Sequence, residues 1–371
     1  MSQTLALLLD AYRDLNSRRM FWIVLILSGL VAGSFAAIGL TPGGFEIFTW
    51  KFPSFFFNSR VVSPGEFYKS IFVSWGINFW LSTIATALAL ISTAGLFPDF
   101  IAAGAIDLYL SKPIGRFRLF STKYFCGLLF VALQIGTFCI ASFLVIGIRG
   151  GAWEPGIFLA IPIVVLFFSY LFCFCVLIGV WTRSTVAAVL LTFLFWVGVV
   201  CLHTTEVTLL GLKLADHAAA QRIDKEIVST DRDIARAEHI SSTQPTTRSS
   251  LELATLKSQL AQEQANRSEH HGAFDRAHAM FYEAMIVLPK TSETVDLLHR
   301  ELISRARLQE VASDEDDSNQ NRMDLNGNSV PVAELQAELR SRTVTWIIGT
   351  SLGFEAVTLC LAAWIFSRRD Y

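Results

Sequence analysis

Charged side chains are scarce in this chain of 371 residues: Asp, Glu, Lys and Arg make up 17% of it, against 53% hydrophobic residues. Soluble domains carry about 25% charge, so a soluble fold of this length is excluded. The formal net charge of -2 leaves no basic excess for nucleic acid. Cysteine is sparse too, and Cys126, Cys139, Cys173, Cys175, Cys201 and Cys360 all fall in apolar segments. None lies in the polar stretch between Thr204 and Arg342, which excludes a disulfide-stapled domain there. Their scatter, without ligand spacing, fits small apolar side chains rather than a metal cluster. Phosphate-loop GK[ST] and HExxH patterns are missing, so no nucleotide cradle or zincin site is expected in the chain itself. His270 and His271 are adjacent instead of sharing a helix face, and His239 and His278 have no acid or cysteine at diagnostic spacing. All four are expected at the surface of a helical domain.

What is abundant is apolar sequence in blocks. Six runs of roughly 18 to 25 mostly apolar residues lie between Phe21 and Phe366, each long enough as a helix to cross a hydrocarbon core of about 30 Å. The fold class expected is an all-α polytopic membrane protein. Residues 1–203 hold five transmembrane helices, 204–343 form a polar insert between helices five and six, and 344–371 hold the sixth helix and a tail. The spans are expected near Phe21 to Leu40, Ser70 to Leu96, Tyr124 to Ile148, Gly156 to Trp181, Thr185 to Cys201 and Val344 to Phe366. Before them, Leu5, Leu8, Leu9, Tyr12 and Leu15 recur at helical spacing among Asp10, Arg13, Asp14 and Arg18, the pattern of an interfacial helix. The leader is long and polar for a signal peptide, so the first span is expected to be retained. Phe45 to Lys69 is rich in aromatics and reads as an interfacial segment anchored at headgroup level. Only Thr182, Arg183 and Ser184 separate spans four and five, which makes these antiparallel neighbours.

Basic residues near the span ends set the orientation. Arg13, Arg18, Arg19, Lys112, Arg116, Arg118, Lys123, Arg183, Arg368 and Arg369 share one side, against Lys51, Arg60, Lys69 and Arg149 on the other. The richer side is assigned to the cytoplasm, with both termini, in the plasma membrane of a bacterium (its inner membrane); the insert is then exterior. Within the insert, Ile223, Ile227 and Ile234, then Leu253, Leu256 and Leu260, keep helical spacings on either side of the loop composition Ser241 to Thr247. An antiparallel helical hairpin, a candidate coiled coil, follows from that pattern. The apolar stretch Ala273 to Leu298 would rest on the membrane surface or plug against the spans, and the acidic run Ser313 to Asn319 reads as a solvated link.

Three polar residues are expected at membrane level. Glu355, near the middle of span six, is expected to face the protein interior or an aqueous path and find a donor, or else to be protonated. Asn78 and Gln134 sit well inside spans two and three, where side-chain amides join helices by hydrogen bonds. His203 and Glu206 lie near the outer end of span five, in reach of an exit path or of interfacial solvent. The polar loop Gly104 to Lys123 carries Lys112, Arg116, Arg118 and Lys123 against the single acid Asp107. Pro113 restricts Lys112 to an extended or turn conformation, so the chain changes direction there. The four cations are expected to make a compact positive surface, serving topology and anionic lipid or docking a soluble protein.

The interfacial helix, the six spans, the pattern Gly104-x5-Leu110-Ser111-Lys112-Pro113-Ile114-x-Arg116 ending in Lys123-Tyr124, and the tail Phe366-Ser367-Arg368-Arg369-Asp370 together resemble the permease subunits of ABC-2 type ATP-binding-cassette transporters. The likeness is closest to the group that includes the nitrous-oxide-reductase maturation permease, and covers residues 1–203 and 344–371. It implies a homodimer of permeases with two cytoplasmic ABC ATPase subunits docked beneath. Asp107, Lys112, Pro113, Arg116 and Arg118 would then belong to the ATPase-coupling element. No cofactor is implied on this chain, since ATP and Mg belong to the partner ATPase. The insert stands outside the resemblance and is expected to engage a periplasmic or extracellular protein, or its own second copy. Two other readings are a non-transporting scaffold working through the insert and a secondary carrier driven through Glu355.

Overall fold

The computed structural model describes residue 13 and residues 19–41, 44–47, 50–53, 64–102, 115–151, 153–243, 247–269, 273–305, 322–323, 329–330 and 332–368. Six of its helices are long and apolar enough to cross a membrane. Helix α1 (Arg19–Ala37) is apolar on nearly every face, as a lipid-level helix is. It leads into a meander of β1 (Ile38–Thr41), β2 (Gly44–Ile47) and β3 (Trp50–Pro53), antiparallel throughout, with Thr41 opposite Gly44 and Ile47 opposite Trp50. The small sheet adds strands to the all-α expectation. Gly44, at the start of β2, takes a φ of 148° that only glycine adopts readily.

The second span starts as α2 (Pro64–Ile71), passes through a π-helical stretch (Phe72–Ala85) and continues as α3 (Thr86–Thr93), a 3₁₀ turn (Ala94–Leu96) and α4 (Pro98–Ala102). Three hydroxyls follow the wide register: Ser82, Thr83 and Thr86 each donate to the carbonyl five residues back, at 2.6, 3.4 and 2.7 Å. Helix α5 (Arg116–Gly150) begins eight residues before the expected third span and ends at Gly151, whose φ of 66° closes the helix. A 3₁₀ turn (Pro155–Leu159) opens α6 (Ala160–Thr182). Arg183 in the left-handed region, its amide bonded to the Gly179 carbonyl, turns the chain into α7 (Thr185–Thr243). Then follow α8 (Thr247–Glu269), α9 (Ala273–Val287), α10 (Thr291–Arg305), the two-residue strands β4 (Arg322–Met323) and β5 (Ser329–Val330), α11 (Val332–Ser341) and α12 (Val344–Arg368). At about 1.5 Å per residue, α12 reaches about 38 Å, enough to span with some tilt.

The chain divides into two compact units. In the first, residues 1–200, 287–310 and 344–371, helix α6 is the axis: Phe168, Tyr170, Leu171, Phe172 and Cys173 are fully enclosed. Helices α5, α10 and α12 pack around it, with α1 against α5. The connections sort to two ends of this bundle. At one end Pro98 touches Gly179, Thr185 donates to Asp99 at 3.2 Å, and the Arg116 guanidinium donates to the Ser367 carbonyl at 3.0 Å. At the other, Lys69 pairs with Glu154 at 2.6 Å and Arg149 donates to the Ala36 carbonyl at 3.0 Å. Up-and-down spans follow. The apolar stretch Ala273 to Leu298 is divided: α9 belongs with the second unit, and α10, which begins within the stretch, with the bundle.

The second unit, residues 201–286 and 311–343, is built on the polar part of α7. Helix α8 returns along it as an antiparallel hairpin, with Lys257 on Glu238 at 2.9 Å and Thr230 donating to Glu263 at 3.3 Å. Ile223, Ile227 and Ile234 turn inward from one helix and Leu253, Leu256 and Leu260 from the other, the stripe their spacing predicted. Helix α9 continues in the same direction, its Asp275 meeting Lys213 at 3.1 Å and His217 at 3.3 Å. The Lys213 ammonium, with His217 beside it, holds the Asp275 carboxyl below the usual carboxylate range.

Candidate functional site

Helix α12 buries Ile347, Ser351, Glu355, Thr358 and Ala362, a spacing of three and four that puts one carboxylate among small and hydroxylated neighbours. Glu355 is 8% exposed. The Tyr124 hydroxyl of α5 donates to its Oε1 at 2.8 Å and the Ser169 hydroxyl of α6 to its Oε2 at 2.9 Å. Three helices thus meet at one side chain. Tyr124 is itself held in place, stacked on Phe172 at 5.3 Å, and Phe172 on Phe168 at 5.3 Å. Among the described residues no cation bridges Glu355. The expectation that it faces the interior and finds donors is what the geometry shows.

One helical turn from Glu355, Ser351 accepts a hydrogen bond from the Lys290 backbone amide at 2.9 Å. Lys290 is 1% exposed, its ammonium 4.2 Å from the centre of the Trp346 ring. Thr294 donates to the Lys290 carbonyl at 2.7 Å, and the Tyr170 ring sits beside Thr294 and Ser351. A polar seam therefore runs from the start of α10 along α12 to Glu355. Sequence reading missed Lys290, because nothing local marks a lysine next to a proline as a residue that will be enclosed.

The other residues singled out in the sequence separate. Gln134 is 3% exposed and neither atom of its amide has a hydrogen-bond partner among the described residues. Asn78 is exposed on the outer surface of the π-helical stretch, turned away from the bundle. Asp107, Lys112 and Pro113 lie outside the described residues, as do the interfacial helix, apart from residue 13, and the acidic run. Arg116 and Arg118 stand in the first turn of α5, half-buried and exposed respectively. Lys123 corrects the positive surface expected of four cations. It is buried on the same face of α5 as Phe120, Tyr124 and Cys126, with its ammonium 4.4 Å from the centre of the Phe100 ring. No family model matches the chain, no curated protein matches it, and no solved structure does.

In the second unit a different cluster forms around Glu206, which is completely enclosed. Its Oε1 accepts from Arg342 Nη2 at 2.5 Å and lies 3.2 Å from His278 Nε2. Tyr282 stacks on His278 at 5.9 Å and lies 5.7 Å from the Arg342 guanidinium. His278, expected at the surface, is thus mostly covered, and Glu206 is enclosed rather than solvated. Their partner Arg342 is 136 residues from Glu206 in sequence, a distance over which periodicity carries no signal. No group of three or more metal-ligating side chains forms among the described residues.

Proposed function

We propose that this multi-pass helical membrane protein is a permease subunit of an ABC-2 type ATP-binding-cassette transporter, with ATP hydrolysed by separate cytoplasmic subunits. The observation that carries the reading is the position of Arg116 and Arg118. Cations in the first turn of a helix oppose its dipole by about 0.3–1 kcal/mol each, so the stability of α5 itself does not call for them there, although Arg116 also reaches the Ser367 carbonyl at the end of α12. They open α5 directly after the segment whose pattern resembles the ATPase-coupling element, and at the same end of the bundle as the basic tail of α12. In this reading that end faces the cytoplasm, two copies pair, and ATP-driven closure of the ATPases moves α5 against α6 and α12. Arg116 and Arg118 present charge to an acidic-rimmed groove of the ATPase.

The test is the charge reversal Arg116→Glu with Arg118→Glu in the full-length protein co-purified with its candidate ATPase. Loss of the complex, or of transport-linked ATP turnover, is the expected result, and unchanged assembly and turnover would overturn the docking.

The hairpin of α7 and α8 favours a second reading, a membrane scaffold that captures partners through the second unit. Deleting Ile223 to Leu260 distinguishes the two. Lost partner capture with intact ATPase coupling would point to the scaffold, whereas a coupled loss of both would tie the hairpin to transport.

A further inference from the structure

We propose that Glu355 is a reversible proton-binding site at the junction of α5, α6 and α12, a property independent of any ATPase docking. A carboxylate kept permanently charged at membrane level needs a cation or a fixed set of donors, because an uncompensated charge there is costly. Glu355 has two hydroxyls instead, and each of those hydroxyls has somewhere else to turn. The Tyr124 hydroxyl lies 3.3 Å from the Ser169 carbonyl as well as 2.8 Å from Glu355 Oε1. The Ser169 hydroxyl lies 2.7 Å from the Leu166 carbonyl as well as 2.9 Å from Glu355 Oε2.

Both protonation states are therefore satisfied in one backbone arrangement. With Glu355 ionised, both hydroxyls donate to it. With a proton on one carboxyl oxygen, the acid donates to one hydroxyl oxygen while that hydroxyl rotates onto its backbone carbonyl. The other oxygen keeps the second bond. No buried donor or acceptor is orphaned in either state, so the usual desolvation cost of an unmade bond does not bias the site.

The surroundings contain few competitors. Helix α5 contributes Tyr124, and α6 contributes the buried Tyr170 and Cys173. On α12 itself the neighbours are Ser351 and Thr358, and α7 presents the apolar Phe195 against Phe354. The Lys290 ammonium belongs to the Trp346 ring and its backbone amide to Ser351, at the far end of the seam. The proton arriving at Glu355 is thus taken up by a carboxyl and not by a nearby base.

The experiment is infrared spectroscopy of the full-length protein in an ester-free detergent, following the carbonyl stretch of buried protonated carboxyls from acid to alkaline pH. The expected result is a band that appears and disappears reversibly and is lost in Glu355→Gln. In Ser169→Ala, which keeps the carboxyl and removes one donor, the band still titrates but at a shifted frequency. A titrating band that survives Glu355→Gln, or a Glu355 band constant over the whole pH range in which the protein stays folded, overturns the proposal. Should Glu355→Gln fail to fold, the Ser169→Ala frequency shift alone assigns the band, and an unshifted band refutes the assignment.

Discussion

Replacing Arg342 by alanine is expected to cost about 3–5 kcal/mol, because removing one partner of a buried ion pair leaves the other as an uncompensated charge. Glu206 is fully enclosed and Arg342 supplies its 2.5 Å contact, so little solvent is at hand to take the guanidinium's place. His278, at 3.2 Å, offers a partial substitute that depends on its protonation. The loss should concentrate in the second unit, read as faster hydrogen exchange of residues 204–217, α9 and α11 with little change in α5 and α6. The double variant Glu206→Gln with Arg342→Met removes both charges together and should recover most of the loss. A single variant as protected as the native chain would show that the pair contributes nothing to stability.

Gly127→Ala is expected to destabilise the bundle by about 1–3 kcal/mol, the range of overpacking in a close-packed interior. A Cβ at Gly127 would stand 2.8 Å from two carbons of the Phe172 ring. That ring cannot swing aside, since it is stacked between Tyr124 and Phe168. Any shift it makes is passed to Tyr124 and so to the hydrogen bond on Glu355. A lower melting temperature in detergent is the primary readout, and a changed Glu355 carboxyl band the second. Gly349→Ala and Gly353→Ala serve as controls, because a Cβ at either meets nothing within 4 Å. If all three variants melt alike, the contact at Phe172 is not the constraint the packing implies.

Much of the scaffold was legible because it is written in local periodicity. Runs of apolar residues give the spans, and the stripe of Ile223, Ile227 and Ile234 against Leu253, Leu256 and Leu260 gives the hairpin of the second unit. Boundaries were less legible where a helix passes from apolar to polar surroundings. Helix α7 runs on to Thr243 instead of stopping near Cys201, since no Pro or Gly-rich break follows and Ala, Lys and Glu propagate a helix well. The strands β1 to β3 were hidden for another reason. Their aromatic and β-branched residues also fit an interfacial loop, and only pairing between neighbours distinguishes the two.

Sequence alone determined the number of apolar segments long enough to span, the exclusion of a soluble fold, and the need of Glu355 for a protein interior, an aqueous path or a proton. Each follows from what one segment must do in water or in hydrocarbon, whatever lies next to it. Tertiary structure decided the partners. It placed Tyr124 and Ser169 on Glu355, enclosed Lys290 and Lys123 against the Trp346 and Phe100 rings, and brought Arg342 to Glu206 across 136 residues. A charge far from its partner in sequence carries no local trace of the bond it will make, because that bond exists only once the helices between them have packed.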